Sequence, residues 1–159
     1  SGGRVVRTDE KFGNIYDHFA IEFEYENGAR ILSMCRQQAN TSGNRVGERV
    51  VGTKGVATPG GQIEGENAWK FEGDDPRGQV QEHADLIASI RAGQPINEGE
   101  RVAESTLTAI LGRTVAYTGR EVKFDWLLKS SKLDLSPTKY EFGPLPVAPV
   151  PVPGVTELI

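Results

Sequence analysis

The chain has 159 residues, 25% of them charged and 37% apolar, with a net charge of −4. A self-sufficient domain of this length buries roughly 70% of the surface that its unfolded chain exposes. The acidic balance leaves no nucleic-acid footprint, a single cysteine (Cys35) excludes an internal disulfide framework, His18 and His83 are too few and too scattered for a zinc site, and no apolar run has membrane-spanning length.

The first element in chain order is HFAIEFEYENGARILSMCRQ, residues 18–37, in which two alternating runs flank Asn27-Gly28. That pair favours a two-residue type I′ hairpin turn. Such a turn pairs Tyr25 with Arg30, Phe23 with Leu32 and Ile21 with Met34. Phe19, Ile21, Phe23, Leu32 and Met34 then share a core-facing side, while His18, Ala20, Glu22, Glu24 and Cys35 take the reverse side, expected to be solvated. Cys35 falls opposite Ala20 and reads as a small apolar filler. Turn-like breaks at Gly52 to Gly55 and Pro59 to Gly61 divide residues 45–73 into the short strands of a meander.

At Asp75-Pro76 the period changes. Asp75 as N-cap and Pro76 at the first helical position predict a helix running to about Ala92 and ended by Gly93. Val80, His83, Ala84, Leu86, Ile87 and Ile90 fall in one apolar arc of it. A second helix runs to Gly119, with Asn97 and Glu100 at capping-box spacing. Ser105, Ala109, Gly112 and Ala116 form a seam of small side chains along it, which predicts close packing against the first helix. Arg120 to Lys123 reads as a short strand and DWLLKS, residues 125–130, as a final helical turn or two. Five prolines between Pro144 and Pro153 predict an extended arm, either frayed or laid across a neighbour. The whole reads as α+β, a mainly antiparallel sheet with two main helices.

No two glycines are separated by one residue, so a G-x-G-x-x-G phosphate turn cannot occur, and P-loop, G-x-S-x-G and H-E-x-x-H patterns are absent too. Arg36, Gln37, Gln38 and Asn44 gather hydrogen-bonding groups where a strand enters a loop, a place suited to gripping a hydroxyl-rich ligand, and His18 joins them as a substrate-lining candidate. His83, within an apolar arc, reads as a buried structural histidine with one hydrogen bond. Arg113 reads as a structural residue whose guanidinium needs an ion-pair partner within the fold. Glu22, Glu24 and Glu26 read as solvated acids on one strand face.

Several stretches together, IYDHFAIEFEYENG, CRQ before a polar loop, VVGTKG, QEHADLIASIRAGQPINEGERVAESTLTAILGR and AYTGREVKFDW, resemble the C-terminal domain of the Gfo/Idh/MocA oxidoreductases, particularly their bacterial predicted dehydrogenases. The resemblance covers residues 2 to about 143, leaving 144–159 as a proline-rich tail. It implies a large open, mainly antiparallel sheet with two main helices on one face, self-association through a sheet face or the arm, and a sugar, cyclitol or related polyol as substrate. It also implies NAD or NADP, held by an N-terminal Rossmann domain that lies upstream of residue 1. The family's Glu-Lys-Pro motif is not matched, because Glu10-Lys11 is followed by Phe12. Its catalytic histidine precedes a Gly-Gly-Arg stretch like Gly2-Gly3-Arg4 and so lies upstream as well. The resemblance therefore implies no catalytic, cofactor-binding or metal-binding residue here, and an isolated chain that is inactive. The competing reading is a stand-alone β-sheet binding or assembly module without enzyme activity; a hydrolase would need a nucleophile and base that the sequence does not display.

Overall fold

The computed structural model describes residues 1–41, 43, 46–58, 60–74 and 77–159. The expected helix start at Asp75-Pro76, the turn residue Pro59 and the candidate Asn44 lie outside the described residues. The fold is α+β, with two antiparallel sheets of three and four strands and three α-helices among the described residues. It divides into two units, residues 1–40 with 98–159, and residues 41–97.

In the first unit β1 (Gly2–Gly3), β2 (His18–Glu24) and β3 (Arg30–Arg36) form the three-stranded sheet in that order. A 3₁₀ turn, Glu10–Phe12, lies in the loop before β2, with Asp9 accepting from the Lys11 amide at 3.0 Å. The hairpin forms where the sequence places it, but its register differs by one residue. Glu24 pairs with Arg30, Ile21 with Ser33 and Phe19 with Cys35. A type I′ turn needs positive φ at both central residues, and here Gly28 has it (81°) while Asn27 does not. Instead, the Gly28 amide donates to the Tyr25 carbonyl at 2.8 Å, the Tyr25 amide donates to the Ala29 carbonyl at 2.9 Å, and Asn27 Oδ1 accepts from the Ala29 amide at 3.0 Å. This is a type I turn followed by a left-handed glycine, one residue longer than a two-residue loop.

A one-residue slip turns every side chain of a strand to the other face. Leu32 and Met34 therefore leave the core side and stand exposed beside Ala20 and Glu22, whereas Ile31, Ser33 and Cys35 take their place. Cys35 is exposed and opposite Phe19, not a filler opposite Ala20. The three acids are solvated as expected, with Arg30 reaching Glu22 at 2.8 Å and Glu24 at 3.4 Å.

The core of this unit lies between β2 and α2 (Gly99–Thr118). Tyr16, Ile21 and Ala116 are buried together, with Phe19, Phe23 and Tyr117 packed around them. The Tyr16 and Tyr117 rings meet edge to face at 4.6 Å. Only the C-terminal half of the small-residue seam is used, and by the sheet: Gly112 and Ala116 are buried, whereas Ser105 and Ala109 stand exposed. A Cβ on Gly112 would lie 3.2 Å from Phe23 Cζ and 3.6 Å from Ile21 Cγ1, so the glycine lets two strand side chains reach the helix backbone. The expected capping box is not the cap that forms, since the N-cap is Glu98, without a side-chain capping bond.

Gly119 ends α2 in the left-handed conformation, φ 70°, its amide donating to the Val115 carbonyl at 2.9 Å. Arg120 to Lys123 forms no strand, and α3 (Phe124–Ser130) follows directly, burying Leu127. The proline-rich segment is tied to its own unit. Tyr16 Oη donates to the Pro151 carbonyl at 2.8 Å, and the Gly154 amide donates to the Thr118 carbonyl at 2.8 Å. Pro153 occupies the space over Gly119, where a Cβ would come within 2.9 Å of it.

The second unit carries β4 (Val50–Gly52), β5 (Gly55–Thr58), β6 (Gln62–Gly65) and β7 (Trp69–Lys70), an antiparallel meander as the turn spacing predicts, and α1 (Gly78–Ala92), ended by Gly93. None of its described residues is buried. The apolar arc of α1 is uncovered, with Val80, Leu86, Ile87 and Ile90 all exposed.

The accessible surface totals 13588 Å². Two independent globules of the units' sizes would expose about 9,400 Å² between them, and the unfolded chain about 25,000 Å². Folding thus removes a little under half of the unfolded surface, against the roughly 70% of a self-sufficient domain.

Two substitutions test the packing of the first unit. Gly112→Leu is expected to destabilise it by about 1–3 kcal/mol through overpacking against Ile21 and Phe23, read from denaturant midpoints. Tyr16→Phe should cost about 1 kcal/mol and speed hydrogen exchange at Gly154, because the tail loses its tether to the core.

Candidate functional site

Four of the five substrate-lining candidates come together at one end of the three-stranded sheet. The observed register makes His18 and Arg36 direct cross-strand partners on the exposed side. Gln37 and Gln38 follow where β3 leaves the sheet. Gln38 Nε2 lies 3.4 Å from Asp17 Oδ1 and 3.5 Å from His18 Nδ1.

Asp17, which was not singled out by the sequence, organises this end. Its side chain is fully buried. Oδ2 accepts three consecutive backbone amides, from Val5 at 2.8 Å, Val6 at 2.7 Å and Arg7 at 2.9 Å, while Oδ1 meets His18 Nδ1 at 2.8 Å. The Asp17 amide donates to the Gly3 carbonyl at 2.9 Å, and its carbonyl accepts from the Gln37 amide at 2.8 Å. Burial opposes ionisation of this carboxyl. The amides of Arg7, Val6 and Val5 and the His18 ring outweigh it and hold the Asp17 pKa far below the usual carboxylate range.

Arg7 is the second residue that the sequence did not single out. Its guanidinium donates from Nε to the Gln37 carbonyl and from Nη2 to Gln37 Oε1, both at 2.9 Å, and lies 5.0 Å from the Phe12 ring centroid. Gln37 is thus locked from both its backbone and its side chain, and the loop leaving β3 is fastened to the loop entering β2. An acid next to a histidine just before a strand is a signal legible in the sequence. Nothing comparable marks Arg7.

The two structural candidates differ from expectation. His83 is exposed, because its helix face is uncovered, and its Nδ1 lies 2.6 Å from the Gln79 carbonyl one turn back. Arg113 is half-buried beside an apolar groove lined by Leu107, Ile110, Leu127, Leu133 and Leu135, and among the described residues it makes no ion pair. No group of three or more histidine, cysteine or acidic side chains able to hold a metal ion occurs among the described residues. Comparison with family models, curated proteins and solved structures returned no match to this chain.

The Asp17 network makes a pH prediction. A carboxyl whose folded pKa is depressed adds stability in full above its unfolded value, about 3.9, and that stability is lost as the pH falls below it toward the folded value. Thermal unfolding across a pH series should show this acid loss in the wild type. Asp17→Asn should lower Tm at neutral pH, by on the order of 5 °C, and flatten the acid limb.

Proposed function

We propose that the chain is the C-terminal, substrate-lining and subunit-joining part of an NAD(P)-dependent oxidoreductase of the Gfo/Idh/MocA type, acting by hydride transfer on a sugar, cyclitol or related polyol. The reading rests on the sequence stretches quoted above, with residues 1–143 as the family-like part and 144–159 as its tail. The large open sheet of that family is part of the same proposal. NAD or NADP belongs to a domain upstream of Ser1, and the chain alone neither binds the dinucleotide nor transfers hydride.

The observation that supports it best is the uncovered surface. A chain that leaves 13588 Å² accessible, with Leu32, Met34 and the apolar arc of α1 exposed, has the surface of a part made to be covered. A Rossmann domain and further copies of the chain are the cover this reading supplies. His18 and the donors of Arg36 and Gln38 then form a polar end of the sheet that faces ligand hydroxyls, with Gln37 held by Arg7 and Asp17 as its support.

The test is the coding sequence directly upstream of Ser1, where the reading expects a dinucleotide-binding domain opened by G-x-G-x-x-G. Calorimetry should find no micromolar NADH binding to the 159-residue chain and clear binding once that domain is joined. Light scattering should give a mass above that of a monomer. Absence of the upstream domain, or micromolar NADH binding by the chain alone, overturns the enzyme reading, and a strict monomer overturns its subunit-joining part.

A further inference from the structure

Among the described residues Asp17 is the buried side chain that carries a charge. As an ionised carboxylate it has acceptors only, so the proton in its 2.8 Å contact with His18 sits on Nδ1 of the ring. In the neutral imidazole the lone pair then belongs to Nε2. No described residue hydrogen-bonds Nε2, and 36% of the His18 side chain is accessible.

Gly3 forms the seat of the ring. A Cβ there would lie 2.9 Å from His18 Cε1 and 3.2 Å from Nε2, so any side chain at position 3 would push the imidazole off its present line. Gly3 is also the cross-strand partner of His18, and its carbonyl receives the Asp17 amide. Carboxylate, seat and strand together fix Nδ1 against Asp17 and leave Nε2 without a hydrogen bond to any described residue, on a part-exposed ring whose cross-strand partner is Arg36.

We propose that Asp17 is a positioning residue that fixes His18 as the Nδ1–H tautomer, so that Nε2 serves as the acceptor for a ligand hydroxyl. The ligand class is a hydroxyl-bearing small molecule whose O–H donates to Nε2. The inference rests on the reading of this sheet end as a substrate wall and adds to it the atom that makes the contact and the group that orients that atom.

Long-range ¹H–¹⁵N spectra of the full chain labelled with ¹⁵N-histidine read the tautomer directly, with His83→Gln assigning the two rings. At a pH where the ring holds a single proton, His18 is expected to show a protonated Nδ1 and an unprotonated Nε2. An Nε2–H ring, or an averaged pair of nitrogens, in the wild type overturns the inference. Gly3→Ala, which leaves the Asp17 carboxylate and its three amides in place, is expected to abolish the single-tautomer pattern, and an unchanged pattern overturns the role of the seat.

The ligand is tested with diethyl pyrocarbonate, which acylates an accessible unprotonated imidazole nitrogen, followed by peptide mass spectrometry. With myo-inositol as the probe, modification at His18 should slow about twofold at half saturation, while His83 reacts at its former rate. Equal rates at His18 with and without inositol overturn the hydroxyl-ligand assignment. These measurements need no cofactor domain. A missing upstream domain would overturn the enzyme reading and leave the tautomer result standing, and the wrong tautomer would do the reverse.

Discussion

The Asp17 carboxylate is the constraint on which the first unit turns. Burying a charge costs several kcal/mol unless hydrogen bonds replace its water, and charge-assisted bonds are about twice as strong as neutral ones. Three successive amides and one ring nitrogen provide that replacement, so the carboxylate dictates where residues 5–7 run and how His18 is turned. Tyr16, Asp17 and His18 stand in succession yet serve three parts of the molecule. Tyr16 fills the core and holds the tail, Asp17 gathers the N-terminal loop, and His18 opens the sheet's exposed end. A change at Asp17 is therefore felt in the site before it is felt in the core.

Much of the fold was legible in the sequence, and what was not has local physical causes. Alternation located both strands of the hairpin, turn residues located the meander, and glycines marked the ends of both long helices. The register was not legible, because Asn27-Gly28 fits both a two-residue type I′ loop and a three-residue loop that draws Glu26 into a type I turn. Asn27 spends its side chain on the Ala29 amide and keeps a negative φ, and that choice moves Leu32 and Met34 across the sheet. The α1 arc makes a different point: periodicity says which face of a helix is apolar, and burial also requires something to cover it. His83 was expected to be buried for want of that distinction. At the site, the polar residues at the strand end were legible from their type and position. Asp17 was missed although its neighbour His18 marks it, because its three amide partners come from a loop with no periodic signal, and Arg7 was missed because it stands in that loop.

Small residues mark close approach in this fold, though the seam in α2 receives a different neighbour from the one its spacing predicts. Side chains recurring at steps of four, three and four flatten one face of a helix for anything that packs closely, be it a helix or a strand. Gly112 receives Phe23 and Ile21 because the hairpin presents those residues on the side that the register dictates. Gly119 combines two requirements. Its left-handed conformation ends the helix, and its missing side chain leaves room for Pro153, so helix end and tail are fixed at one residue. The join between α2 and α3 is in this sense a structural joint, and the polar end of the sheet is a separate feature.

The corrected register also changes what the exposed face of the sheet can do. With Met34 opposite Ala20 and Leu32 opposite Glu22, an apolar stretch lies between the Arg30 ion pairs with Glu22 and Glu24 on one side and His18 with Arg36 on the other. Covering a side chain such as Leu32 or Met34 is worth about 1.5–3 kcal/mol, whereas an exposed ion pair contributes at most about 1 kcal/mol. Association through this face would therefore draw its free energy from the middle and its orientation from the charged end. Under the proposed reading those two tasks need not compete with ligand contact, because the hydroxyl acceptor lies at the opposite end, on a ring whose direction is already set from beneath by Asp17 and Gly3.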